Sequence, residues 1–197
     1  MKKLLMVAMM LVILGVSGMS FANEPVGSQD ETTFTLHGMY LEPNVEAFLP
    51  FNDDLDASVF AGGKGGYQWN EWFALEVELG WANPDFTGGM GSVTTIPLLF
   101  NARVNLWPGV YMVDTYLFGG IGIAFNSIDV NVPNANIDDS LAGQIGGGAE
   151  YRFNESFSAY LDLRFYFSDP DLNVVVLGSK DVSLTSFLIG GGIVWRF

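Results

Sequence analysis

The sequence predicts an all-β chain, closed into an eight-stranded antiparallel up-and-down transmembrane β-barrel. Three observations lead there. Apolar and polar residues alternate at period two along most of the chain. The alternating stretches are long enough to cross a bilayer as tilted strands. The connections between them alternate between short and long, the pattern of barrels with tight turns on one side of a membrane and loops on the other.

The alternation is plainest at 73–81, where Phe73, Leu75, Val77, Leu79 and Trp81 share one face and Ala74, Glu76, Glu78 and Gly80 the other. It recurs at 157–167, where Phe157, Ala159, Leu161, Leu163, Phe165 and Phe167 alternate with Ser158, Tyr160, Asp162, Arg164 and Tyr166. Phased on these two, strands are predicted at 33–41, 57–68, 72–83, 93–106, 113–126, 140–153, 157–168 and 183–197. The short connections are then 69–71, 107–112 and 154–156, and the long ones 42–56, 83–92, 127–139 and 168–182. Both termini fall on the short-turn side.

Charge sets which way the faces point. The formal net charge is −14, from 8 basic and 22 acidic residues. That excludes nucleic-acid binding, which needs a basic face, and charge-driven docking on an anionic membrane. Lys64, Arg103, Arg152, Arg164 and Arg196 share one strand face with Glu76, Glu78, Glu150 and Asp162. A lipid-exposed barrel must turn this face inward, where charges are tolerable only when paired. Five positive against four negative charges is therefore the expected content of an ion-paired lumen. A soluble barrel would have the opposite phase.

Aromatic residues are expected as belts at the two interfaces. Trp69, Trp72, Trp107, Phe153, Phe157 and Phe197 lie around the short turns, and Tyr40, Trp81, Phe125 and Phe167 near the long loops. The mid-strand glycines, such as Gly62–Gly63, Gly119–Gly120 and Gly146–Gly148, have no helix after them and so are not phosphate loops. They make room for larger side chains across a narrow barrel.

Ahead of the strands, Lys2 and Lys3 precede the apolar run Leu4–Val16, which is short of the ~18 residues of a spanning helix. Ser20 and Ala22 supply the small residues of a cleavage site. The expected organisation is a signal peptide at 1–22 cleaved after Ala22, an acidic tail at 23–32 and a barrel domain at 33–197, located in the outer membrane. With no cysteine, disulfides and a lipoprotein anchor are excluded.

Three segments resemble one family. Thr115–Gly122 is similar to the Tyr-x-x-x-Gly-x-Gly strand of OmpA-like outer-membrane β-barrel proteins. Gly146–Phe153, with the turn 154–156, is similar to the next strand and turn. Ile193, Trp195 and Phe197 resemble the family's C-terminal assembly signal, which implies the barrel-assembly machinery as a partner. No peptidoglycan-binding domain is expected after Phe197, so the layout is closer to the small OmpX-like barrels. The resemblance implies outer-membrane lipid and lipopolysaccharide as surroundings and leaves the role open.

No catalytic constellation is expected. The single histidine, His37, is read as a structural lumen residue, and Ser183 and Ser186 lack a base at readable spacing. No cofactor is expected. The long loops are acidic: Glu42, Glu46, Asp85, Asp129, Asp169, Asp171 and Asp181 lie in or beside them, together with Asp53, Asp54, Asp56, Asp138 and Asp139. The last five are candidate ligands for divalent cations bridging to lipopolysaccharide phosphates, although no loop has a defined Ca²⁺-ligand spacing and a solvated surface is the preferred reading. The expected role is structural, in envelope integrity, or in adhesin-like surface interaction, with a lumen plugged by charged side chains. The alternatives are a narrow porin-like pore for small solutes, or a lipid-modifying outer-membrane enzyme.

Overall fold

A computed structural model describes residues 38–89, 91–108, 112–130, 135–174, 178–181 and 183–197. The leader 1–22, the acidic tail 23–32, the start of the predicted first strand and His37 lie outside the described residues.

Lipid-facing strands must be apolar on alternate residues and must leave no backbone group unpaired. Two ladder interruptions aside, at Pro43 and Pro97, the observed strands meet these demands. They are β1 Gly38–Pro50, β2 Ser58–Gln68, β3 Phe73–Ala82, β4 Gly91–Asn105, β5 Val113–Val130, β6 Ala135–Ile137, β7 Ser140–Arg152, β8 Phe157–Ser168, β9 Asp171–Val174, β10 Gly178–Asp181 and β11 Ser186–Arg196. Eight of them close an antiparallel barrel in the order β1-β11-β8-β7-β5-β4-β3-β2. The remaining three form a small sheet, β10-β9-β6, built from two of the predicted long loops. The closing ladder runs from Tyr40 opposite Arg196 to Pro50 opposite Ser186.

Parity is strict. Along β3, Ala74, Glu76, Glu78 and Gly80 are buried while Leu75, Val77, Leu79 and Trp81 are exposed. The outward face of the other strands is likewise apolar, with Leu41, Val45, Phe100, Ile121, Ile145 and Leu161 exposed. The inward face takes the large polar residues, and glycines opposite give them space. A Cβ on Gly66 would collide with the Tyr40 ring, and one on Gly80 with the Phe60 ring.

The turns at one end have matching chemistry. Asn70 Oδ1 accepts from the backbone N–H of Trp72 and Phe73, both at 2.9 Å. Asn154 Oδ1 accepts from Ser156 and Phe157, again at 2.9 Å. Trp69, Trp72, Trp107, Phe153, Phe157 and Phe197 stand exposed around this end. Trp81, Phe125 and Phe167 are exposed toward the other.

The main correction concerns β1. The predicted strand stops at 41, with a loop from 42 to 56; the observed strand runs on to Pro50. Two glutamates and two prolines read as loop, yet the alternation continues: Tyr40, Glu42, Asn44, Glu46 and Phe48 are buried, and Leu41, Pro43, Val45 and Ala47 are exposed. Glu42 and Glu46 are therefore not loop residues. Tyr40 is no belt residue either, because it points inward at the short-turn end, where it pairs with Arg196. β5 also outruns its predicted end at 126, carrying Asp129 into a ladder with Ser92.

An outward face in lipid carries a definite cost for charge. Leu161, 70% exposed midway along β8, is expected to lose about 2–4 kcal/mol of folding stability as Leu161→Arg. Urea unfolding in lipid vesicles measures this, and a soluble barrel would lose almost nothing.

Candidate functional site

Because inward positions recur every second residue, each strand sends a short column of side chains into the lumen. The nine charged residues expected there, Lys64, Glu76, Glu78, Arg103, Glu150, Arg152, Asp162, Arg164 and Arg196, all point inward, and all but Arg196 are buried. Glu42, Glu46 and Asp114 join them. The expected five-to-four balance is thus corrected to five basic groups against seven acidic ones.

Nearest the loop end, Arg164 lies between two carboxylates. Its Nε and Nη2 donate to Glu46 Oε2 and Oε1, both at 2.8 Å, a bidentate pairing. Its Nη1 donates to Glu78 Oε1 at 2.5 Å and to Gln144 Oε1 at 2.6 Å. Amides complete the group. Gln144 Nε2 donates to Glu78 Oε2 at 2.6 Å, Asn101 Nδ2 to the same oxygen at 3.2 Å, and Asn44 Nδ2 to Glu46 Oε1 at 2.6 Å.

In the middle, Lys64 Nζ donates to Asp162 Oδ2 at 2.7 Å, and Tyr116 donates to the other oxygen of Asp162. Arg103 reaches Glu42 at 2.8 Å and Glu150 at 2.6 Å, and its guanidinium lies 3.6 Å from the Tyr116 ring centre. Tyr40 donates to Glu76 Oε1 at 2.7 Å. Toward the turns, Arg196 donates to Glu150 Oε1 at 2.6 Å and to Ser158 at 2.7 Å, and Arg152 pairs with Asp114.

Toward the loops the lumen changes character. Phe48, Phe60, Leu99, Tyr166 and Leu188 from the strands pack with Leu55, Ile137 and Leu184 from the loop regions. This apolar cluster stands above Arg164, whose guanidinium lies 4.8 Å from the Phe60 ring centre.

The remaining candidates are scattered. Ile193, Trp195 and Phe197 face outward together, Trp195 stacking on Phe157 with ring centres 6.0 Å apart. Asp53, Asp54 and Asp56 are exposed, and Thr87 ties their loop to the next one: its N–H donates to Asp54 O at 2.9 Å and its hydroxyl to Asp53 O at 3.1 Å. Asp139 accepts from the Asn126 N–H at 3.0 Å, and Asp138 beside it is exposed. Among the described residues, no group of three or more His, Cys, Asp or Glu side chains is placed to hold a metal ion. Ser183 donates to Thr185 at 3.1 Å and Ser186 to Leu184 O at 2.7 Å.

Sequence reasoning missed Glu42, Glu46 and Asp114 as lumen groups. The signal for all three was parity: Asp114 shares its phase with Tyr116, and the two glutamates share theirs with Tyr40. Removing one member of a buried group leaves its partners uncompensated. Arg164→Met is expected to cost about 3–5 kcal/mol, much of it recovered when Glu46 and Glu78 are also changed to Gln. Urea midpoints of the refolded variants report both effects.

The chain can now be set beside known proteins. No curated protein matches it in sequence. Among solved structures it is similar to OprG of Pseudomonas aeruginosa, at 11% identity and a TM-score of 0.64 over 85% of this chain and 99% of that one. Neisserial surface protein A is similar at 14% identity and a TM-score of 0.61, over 81% and 97% of the two chains. Outer membrane protein W of E. coli is similar at 12% identity and 0.58, over 82% and 98%. At such identities these likenesses establish the shared fold. Residues 8–197 match the family described as the outer membrane protein β-barrel domain, and the chain therefore belongs to that family.

Proposed function

We propose that this outer-membrane barrel is a closed, non-catalytic scaffold, with a structural role in the envelope or a surface-interaction role carried by its loops. One observation carries the reading: ion pairs and hydrogen bonds span the lumen from Arg196 to Arg164, and an apolar cluster continues the filling toward the loops. Eight strands leave little room beyond their own inward side chains. Export by a leader cleaved after Ala22 and insertion guided by the outward Ile193, Trp195 and Phe197 belong to the same proposal. So do a lipopolysaccharide-rich surround and divalent cations screening the acidic loops.

A second reading, passage of small solutes, is favoured by a specific feature of the wall. The β3–β4 ladder runs from Phe73 opposite Val104 to Leu79 opposite Leu98, and resumes only at Ala82 opposite Thr95. The gap falls at Gly80 and Trp81, opposite Pro97 and Ile96, where proline has no N–H to donate. Ala82 and Leu99 beside the gap belong to the apolar cluster, and Phe60 packs over Gly80 from inside. The wall is interrupted here next to an apolar filling, which suits sideways exit of an apolar solute into the bilayer.

The two readings separate experimentally. Planar-bilayer recordings are expected to show no stable openings, and steady nanosiemens conductance would sink the scaffold reading. Under the second reading, Phe60→Ala should raise the entry of a small apolar dye into vesicles several-fold, while wild-type-like entry would retire it.

A further inference from the structure

We propose that the middle of the lumen holds one positive counter-charge taken from solvent, a proton or a sodium-sized ion, on the carboxylates Glu42 and Glu76. The inference goes beyond the scaffold reading and does not depend on it.

In the loop-ward group Arg164 meets Glu46 and Glu78, so one negative charge is in excess. That excess is fully solvated by the protein. Glu46 Oε1 accepts from Asn44 and Arg164, Glu46 Oε2 and Glu78 Oε1 from Arg164, and Glu78 Oε2 from Asn101 and Gln144.

The rest of the lumen carries the same excess. Lys64, Arg103, Arg152 and Arg196 meet Glu42, Glu76, Asp114, Glu150 and Asp162, four positive charges against five negative. Here no side-chain amide reaches a carboxylate. Asn105, the nearest in sequence to Arg103, accepts from Arg103 Nε and donates to Glu71 O. Besides Asp114 Oδ1 nearer the turns, Glu42 Oε2 and Glu76 Oε2 are left without a hydrogen-bond partner among the described residues. Glu42 and Glu76 are 0% and 3% exposed. Both carboxylates share Arg103 Nη1, at 2.8 Å from Glu42 Oε1 and 3.7 Å from Glu76 Oε1. The other groups around them are Tyr40, bonded to Glu76 Oε1, Lys64 at 3.7 Å from Glu42 Oε2, and Tyr116, Glu150 and Asp162 beyond.

A carboxylate this deep does not stay both ionised and uncompensated. The two orphan oxygens are the place where a charge absent from the chain would sit. Among the described residues no three acids converge to hold a metal ion, so the pair suits a single charge and not a divalent ion.

The test uses the full mature chain, refolded from urea into detergent micelles near neutral pH, without buffer, in sodium chloride or in choline chloride at equal ionic strength. If the counter-charge is a proton, folding takes up about one proton per chain in both salts, and Glu76→Gln abolishes the uptake. If it is sodium, no such uptake occurs, and the folding constant rises up to about tenfold per tenfold increase in sodium, only in the sodium salt and only with Glu76 present. Glu42→Gln is the second variant should Glu76→Gln fail to refold, and the turn variant Glu71→Gln should behave as wild type. Uptake undiminished in both lumen variants, or no uptake with equal unfolding midpoints in the two salts, overturns the proposal.

Discussion

Closure of the β1–β11 ladder is the condition on which the other features of the molecule depend. A bilayer core has no water to satisfy an open strand edge, so every N–H and C=O must find a partner along the wall. Closing the sheet removes both edges at once, and it also forces each residue to face either lipid or lumen. The parity of buried and exposed residues along β3 and β8 follows directly. Proline is the visible exception. Pro43 interrupts the closing ladder between Leu41 and Asn44, as Pro97 interrupts that of β3 with β4.

The lumen answers a different demand. Side chains turned away from lipid are still out of bulk water, so each charge needs a partner of opposite sign or a good hydrogen-bond donor. The filling is layered accordingly. Arg152 and Arg196 work with carboxylates near the turns, Arg103 and Lys64 hold the middle, and Arg164 lies under an apolar cap of Phe48, Phe60, Leu99 and Leu188. Arginine suits these sites because its planar fork binds two carboxylates at fixed geometry. Glycines are the complement of this crowding. Gly66 and Gly80 leave the space that Tyr40 and Phe60 occupy, and any larger residue would push those rings out of register.

The loop end is under no such constraint. Exposed aspartates lie there, and backbone bonds such as Asp56 N–H to Asp85 O at 2.8 Å hold neighbouring loops together beside the buried Leu55, Ile137 and Leu184. Variation in this region changes what the surface presents while leaving the ladder and the lumen intact, which is how one barrel architecture serves many roles.

The amino-acid sequence by itself determined the class of fold, the number of barrel strands, the faces of the strands and the charged residues that line the lumen on β2, β3, β4, β7, β8 and β11. These are local properties: a period of two in one strand is readable without knowing its neighbours. Tertiary structure alone decided that β1 continues through Glu42 and Glu46. Two glutamates beside a proline look like loop until Arg103 and Arg164, which lie 61 and 118 residues away, supply their partners. It decided equally which carboxylate meets which cation, and that Glu42, Glu76 and Asp114 each keep one oxygen without a hydrogen bond among the described residues, since such pairings depend on distances across a closed lumen that no linear pattern encodes.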